Sequence, residues 1–368
     1  MHKANQIVTY AIASGLFPGC AFTLFQGNVG ETIYRGNLAP TNTKGKQRHV
    51  DSDTLYDIAS LTKILAFLGI LRLVDQGNFS LDDPVDSVIP FYRNGDIKKM
   101  TFRHLLTCGL DFILSEELEK KGIHIKNASG GLAFFDCADL RAALGTMFRY
   151  GNFSAFIAGK VLERVMKINL EEALRILVLN DLAMSDTSFY MHPSRLIRVA
   201  PTQVINSAYW QYGTVQDPMS RRFLPEHVGI AGLFSSIGDM EKLAWFLATG
   251  LTPLNRPLIS TVLWKDMTTD QYGGKKVNGQ VRRYGLGLDM ASDGYVDDIA
   301  FCKKGMFMSA TSGPFIFACP FWKRDGLPAR PVGGVILSNT NRHMSDPAHV
   351  HRTFRRNFVG AFLESIKV

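Results

Sequence analysis

From Ile64 onward the chain is apolar almost without interruption, in the run Ile64-Leu65-Ala66-Phe67-Leu68-Gly69-Ile70-Leu71 followed by Leu73 and Val74, and the run stops at Gly77. A helix that is apolar on every side has to be buried on every side. Glycine is the usual residue just past a helix end. The spacing therefore predicts a core helix around which the rest of the chain packs. At its head stands Ser60-Leu61-Thr62-Lys63. Residues three apart share one helix face, so this serine and lysine are neighbours. A free hydroxyl attacks poorly at neutral pH and needs a nearby base and a site for negative oxygen. A lysine serves both needs: buried, its pKa falls; charged, it lowers the pKa of a neighbouring base. A helix starting at Ser60 also places that oxygen at the positive end of the helix dipole. The plainer alternative makes Ser60 a helix cap and Lys63 a solvated first-turn lysine.

Serine and lysine at this spacing arise easily by chance, so chemistry requires further elements. Tyr150-Gly151-Asn152 and Lys303-Lys304-Gly305 supply candidates. Tyr92-Arg93-Asn94 repeats the first pattern, but the following Gly95 marks an Asn-Gly turn. Lys120-Lys121-Gly122 repeats the second, but it follows Ser115-Glu116-Glu117-Leu118-Glu119 and reads as the charged end of a surface helix. The favoured tyrosine precedes Phe153 to Val165, whose apolar residues recur with a helical period. The favoured lysines precede apolar runs ending in Phe315-Ile316-Phe317-Ala318, the context of an edge strand lining a cleft.

Taken in order, S-x-x-K, Y-x-N and K-x-G resemble the serine beta-lactamase and penicillin-binding protein superfamily, in its class C and esterase branch. Leu16-Phe17-Pro18-Gly19, Asp53-Thr54-Leu55-Tyr56-Asp57-Ile58-Ala59, Leu81-Asp82-Asp83-Pro84-Val85, Thr101 to Thr107, Gly229 to Ser236 and Tyr284-Gly285-Leu286-Gly287 resemble further segments of that family, so the likeness covers most of the chain. It implies an α/β (α+β) fold with a central antiparallel sheet flanked by helices. It also implies an inserted all-helical lobe and an active site in the cleft between the two. The pattern places an α/β lobe at 1–78 and 228–368 and the helical lobe at 79–227 of a single catalytic unit.

The resemblance also implies roles. Ser60 is the acyl-accepting nucleophile, and Lys63 activates it through hydrogen bonds to Ser60 and Tyr150. Tyr150 is the general base and later protonates the leaving group, which requires its pKa to fall from about 10 under the influence of Lys63 and Lys303. Asn152 holds Lys63 and the substrate's acyl amide. Lys303 faces them across the cleft, and the backbone N–H groups of Ser60 and Met306 form the oxyanion hole. Lys304 and Gly305 contact substrate. No cofactor is needed for this chemistry.

Several positions depart from the family pattern. Lys304 replaces a Thr or Ser, and on an edge strand it points outward. Gly305 to Ala310 lacks a second glycine, which makes the pocket floor bulkier and more apolar. Gln216-Asp217 stands for His-Asp, and Thr107-Cys108-Gly109 for a His-Thr-Ser-Gly run.

At 368 residues and 46% hydrophobic, the chain can bury a large core. Val335 to Asn339 reads as a strand. Val350, Phe354, Phe358, Phe362 and Ile366 recur every four residues, giving a C-terminal helix with one apolar face. The net charge of +8 raises nucleic acid or a membrane surface as partners, and Arg352, Arg355 and Arg356 cluster on that helix. The remaining basic residues are scattered without a nucleic-acid motif, so a solvated face and attraction of anionic substrates fit better. The partner implied is a small ester, amide or peptide, not nucleic acid; oligomeric state is left open.

Five cysteines without C-x-x-C spacing indicate neither a disulfide framework nor a zinc site. Cys302 abuts Lys303 but points to the opposite strand face. His343, His349 and His351 lack the partners of a metal site. No apolar run approaches the ~18 residues of a membrane span. The uncharged stretch Ile7 to Phe25 is divided by Pro18-Gly19 into a helix and a strand rather than forming a secretion signal. A cytoplasmic location follows, with export the alternative if a leader has been removed. No G-x-S-x-G elbow is present.

Two classes of function remain. One is a serine hydrolase forming a Ser60 acyl-enzyme with an ester, small amide, D-amino-acid peptide or beta-lactam. The other is a binding, sensor or scaffold protein that keeps the fold without turnover. An acyltransferase differs from the first only in what reaches the acyl-enzyme.

Overall fold

The computed structural model describes residues 2–39, 48–91, 95–110, 131–132, 140–203, 210–273, 276–277, 280–281, 283–290, 306–309, 314–322, 329–339 and 347–366. Strands β1 (Gly19–Gln26) and β2 (Val29–Gly36) form a hairpin. β3 (Leu55–Asp57) pairs with β6 (Phe234–Ser236), while β4 (Thr202–Gln203) with β5 (Trp210–Gln211) and β7 (Lys276–Val277) with β8 (Gln280–Val281) are short hairpins. β9 (Met306–Ser309), β10 (Phe315–Trp322) and β11 (Arg330–Ser338) complete a five-stranded antiparallel sheet in the order β2-β1-β11-β10-β9. Phe22 of β1 lies opposite both Ile33 of β2 and Ile336 of β11.

Alternation along the strands divides the apolar residues between two faces. Cys20, Phe22 and Leu24 join Phe315, Phe317, Val332 and Ile336 in a rear core. Ala21 and Phe25 join Ile316, Ala318, Val335 and Leu337 in the main core. The rear core is closed by the helices His2–Ala13 and Pro347–Ser365, which pack on each other. The four-residue apolar period of the C-terminal helix serves this contact: Phe354, Phe358 and Phe362 are buried. The Phe358 ring meets Phe22 edge-on at 5.3 Å, a favoured arrangement of aromatic pairs.

On the front face the helix Ile237–Thr249 lies against β10 and β11. Beyond it runs the helix Thr62–Asp75, buried from Thr62 through Leu71. Burying each large side chain such as Phe67 or Leu68 contributes about 1.5–3 kcal/mol. Gly77 has φ +78°, the left-handed conformation that ends the helix without a Cβ clash. The helix Phe153–Met166 packs against it, carrying the Tyr150 segment at its N-terminus. Between 79 and 227 the described residues form the helix Phe153–Met166, shorter helices, turns and the β4–β5 hairpin, so the stretch is not all-helical as expected. The uncharged stretch near the start divides as expected, into the first helix and β1.

Candidate active site

Ser60 does not begin the core helix. It sits in a tight helical turn, Ala59–Leu61, which leads directly into Thr62–Asp75. The helix N-cap is Leu61, with no side-chain cap bond, so Ser60 is not spent on capping. Ala59, just before it, has φ +46°, left-handed for a residue with a Cβ. Asp57, at the end of β3, accepts the Ala59 N–H at 2.8 Å and the Gln216 N–H at 2.6 Å. Burial pushes its carboxyl up to about 6.

Lys63 is 1% exposed, so it is not a solvated first-turn lysine. Its ammonium donates to Ser60 Oγ at 2.9 Å and to the Ile230 carbonyl at 2.9 Å. Burial pulls its pKa down to about 8, against the opposing pull of Asp217. The Ile230 contact explains part of the Gly229-Ile230-Ala231-Gly232 signature. A Cβ on Gly229 would meet the Ala155 carbonyl oxygen at 2.3 Å, so only glycine lets this segment approach the Tyr150-bearing helix. Tyr284-Gly285-Leu286-Gly287 acts similarly: Gly287, at φ +80°, donates its N–H to the Leu106 carbonyl and lies against Phe67.

The Tyr150 ring faces Lys63, with Nζ 5.4 Å from the ring centroid. The residue is 44% exposed overall, yet its hydroxyl end is buried and hydrogen-bonded with Ser60. Burial pushes the phenol pKa up, reinforced by Cys108, Asp289 and Asp217, while Ser60 pulls it back. The direction is opposite to the fall expected from the sequence, because desolvation disfavours the phenolate, and Lys63 is the group lowered to about 8. Asn152 also differs from expectation. Its amide donates to Met219 Sδ at 3.6 Å, whereas Lys63 bonds Ser60 and Ile230.

Lys303, Lys304 and Gly305 lie outside the described residues, as do Cys302, the two decoy motifs and His343. Met306 begins β9, the sheet edge strand, which packs beside the Ser60 turn. Cys108 is buried with its thiol 3.6 Å from the Tyr284 hydroxyl, and burial raises it to about 11, so it is an inert thiol. Sequence reasoning missed the Ile230 carbonyl as a lysine acceptor and the Asp57 carboxylate. An acidic residue amid Leu55, Tyr56, Ile58 and Ala59 was the available signal for the latter. No helix among the described residues is long and apolar enough to cross a membrane.

The half-buried Ser60 of this turn, the buried Lys63 of the core helix, Tyr150 ahead of the helix Phe153–Met166 and the edge strand β9 thus come together. The Beta-lactamase family model matches residues 5–355, and the chain belongs to that family. Esterase EstB of Burkholderia gladioli is 31% identical over 176 residues, 44% of this chain and 44% of EstB. That match therefore spans less than half the relative's length. EstCE1, described as a hydrolase with promiscuous acyltransferase activity, has the same fold at TM-score 0.76 and 18% identity, covering 98% of each chain. A class C beta-lactamase aligns at TM-score 0.72 and 15% identity, over 100% of this chain and 96% of its own.

Proposed function

We propose that this chain is a serine hydrolase that forms an acyl-enzyme at Ser60 with a carboxylic ester or small amide and releases it to water. The observation that carries this reading is the 2.9 Å bond between Ser60 Oγ and a buried Lys63 whose pKa is lowered to about 8. Near that pH a sizeable fraction of Lys63 is neutral and can take the serine proton as Oγ attacks the carbonyl carbon. The Ser60 and Met306 N–H groups receive the developing oxyanion. When the tetrahedral adduct collapses, the carbonyl–leaving-group bond breaks and the lysine's proton passes through the Tyr150 hydroxyl to the departing oxygen or nitrogen. Water then attacks the acyl carbon, returning its proton by the same route and freeing Ser60.

We assign Lys303, Lys304 and Gly305 to substrate binding from their sequence motif alone. The net charge of +8 favours anionic substrates. We assign the substrate's acyl side chain to Asn152, which is bonded to Met219. We favour esters, whose alkoxide leaves more readily than an amide nitrogen, in keeping with the likeness to EstB.

Hydrolysis of p-nitrophenyl butyrate tests this reading. Ser60→Ala should abolish turnover with the fold intact, and Tyr150→Phe should slow it by about 10²-fold or more; full activity in Ser60→Ala overturns it. A second reading, transfer of the acyl group to an alcohol or amine instead of water, is supported by the likeness to EstCE1. It predicts a new ester or amide when an acceptor is added to the same assay.

A further inference from the structure

We propose that Asp57 is a positioning residue for Ser60, acting through the Ala59 peptide and the Gln216 backbone rather than by touching reacting atoms. The proposal rests on the serine-hydrolase reading above.

The turn before the nucleophile is strained. Ala59 is held at φ +46°, a left-handed conformation that crowds a Cβ against the following carbonyl oxygen. Such a conformation persists only where its surroundings over-determine it. Asp57 supplies that constraint from β3, itself fixed by pairing with β6 and by the Leu55 carbonyl accepting the Ala200 N–H. One carboxylate oxygen holds the Ala59 N–H at 2.8 Å, the other the Gln216 N–H at 2.6 Å. Both oxygens are thus committed to main chain, and neither bonds Ser60 or Lys63.

The residue following Ala59 carries both groups that the chemistry needs: Oγ, and the N–H assigned to the oxyanion hole. A rotation at Ala59 swings both together, and a displacement of about 1 Å at such a centre costs about 10²-fold in rate. The second oxygen reaches a different part of the chain. Gln216 precedes Asp217, which caps the helix Pro218–Phe223 through Ser220 and whose charge opposes the lowering of the Lys63 pKa. Arg221 secures the same segment by donating to the Val215 and Gln216 carbonyls. One carboxylate therefore fixes the nucleophile turn and ties it to the segment that sets the charge near the lysine. Leaving a carboxylate buried is costly unless it is fully hydrogen-bonded, and two short bonds to main-chain donors meet that need. Asp217 and Arg221 are the charged groups that act on it.

The experiment measures kcat and KM for p-nitrophenyl butyrate, together with thermal melting, on wild type, Ser60→Ala, Asp57→Asn and the double variant Asp57→Asn/Ala59→Gly. Asparagine keeps the shape and one acceptor but turns an amide donor toward the Gln216 or Ala59 N–H. We expect Asp57→Asn to melt cooperatively, to lose about 10²-fold in kcat and to keep a KM close to wild type. Glycine adopts the left-handed conformation without a Cβ penalty, so the double variant should recover about 10-fold of the loss. A protein weakened only in its packing would not be rescued by a further substitution to glycine. Unchanged kcat in Asp57→Asn, or a loss that Ala59→Gly leaves untouched, overturns the proposal. If Asp57→Asn does not fold, Asp57→Ser, whose hydroxyl still accepts the Ala59 N–H, is judged by the same split and the same rescue. A wild type without turnover, or an active Ser60→Ala, instead overturns the underlying hydrolase reading and the proposal with it.

Discussion

The two faces of the central sheet have opposite economies. Behind it, the helices His2–Ala13 and Pro347–Ser365 enclose a core made almost entirely of apolar side chains, with Phe22, Phe315 and Phe358 in edge-on contact. In front of it, the core helix is as deeply buried but carries at its head an amine, a carboxylate nearby and a left-handed alanine. Each of those features costs stability. The rear face, too, buries one charged group, since Arg355 lies over the Phe315 ring at 5.8 Å and not on a solvated face as expected, but that group stands apart from the site. On the proposed function, packing behind the sheet and along Thr62–Asp75 offsets the cost of a strained, desolvated corner. Substitutions in front should therefore reduce rate more than stability, and substitutions behind should do the reverse.

The largest effect is expected at Lys63. Lys63→Met removes the proton acceptor and should reduce kcat by about 10⁴-fold, while a linear apolar side chain in a buried site leaves the melting temperature unchanged or higher. Loss of folding with loss of rate would break the contrast. Phe358→Ala should destabilise the protein by about 3–5 kcal/mol in denaturant titration, with KM unchanged and kcat per folded molecule preserved. A specific fall in kcat would show that the rear face participates in the site.

The pH dependence sharpens the same distinction. Because burial lowers Lys63 to about 8, kcat/KM should rise with pH through about 8 and then level off. A rise centred near the ordinary lysine value of about 10.4 would mean that desolvation does not tune the amine. The smallest effect concerns stability. The Asp57 carboxyl is raised to about 6 from an ordinary value near 3.9. The folded state thus holds its proton over a range where the unfolded chain has released it. Its contribution is fully present below about pH 4 and is lost as pH rises through about 6. Asp57→Asn should remove that slope from a plot of unfolding free energy against pH, and an unchanged slope would assign it to other groups.

Regular periodicity made much of the fold legible in the sequence. The apolar run at Ile64 became a helix buried on every side, while the helix after Tyr150 and the C-terminal helix bury the repeating apolar face that their spacing gives them. Serine and lysine at one helical turn were correctly read as neighbours for the same local reason. Of the electrostatic effects, the fall of a buried lysine was legible, but the sign at the tyrosine was not. The Tyr150 phenol was expected to fall and instead rises, since desolvation depends on what covers a side chain in three dimensions. Nor did spacing foretell that Asn152 would meet Met219, or that a carbonyl at Ile230 would reach Lys63, both contacts between segments far apart in the chain. Asp57 was read only as part of a familiar lead-in, although its bond to Gln216 joins β3 to a distant loop.

The most direct measurement is intact-mass spectrometry after brief incubation with p-nitrophenyl butyrate and with a fluorophosphonate, on wild type and Ser60→Ala, with the modified peptide mapped. A single adduct on Ser60 in wild type, absent from Ser60→Ala, is the predicted result. An adduct elsewhere, or equal labelling of both proteins, would contradict Ser60 as the acyl-accepting nucleophile.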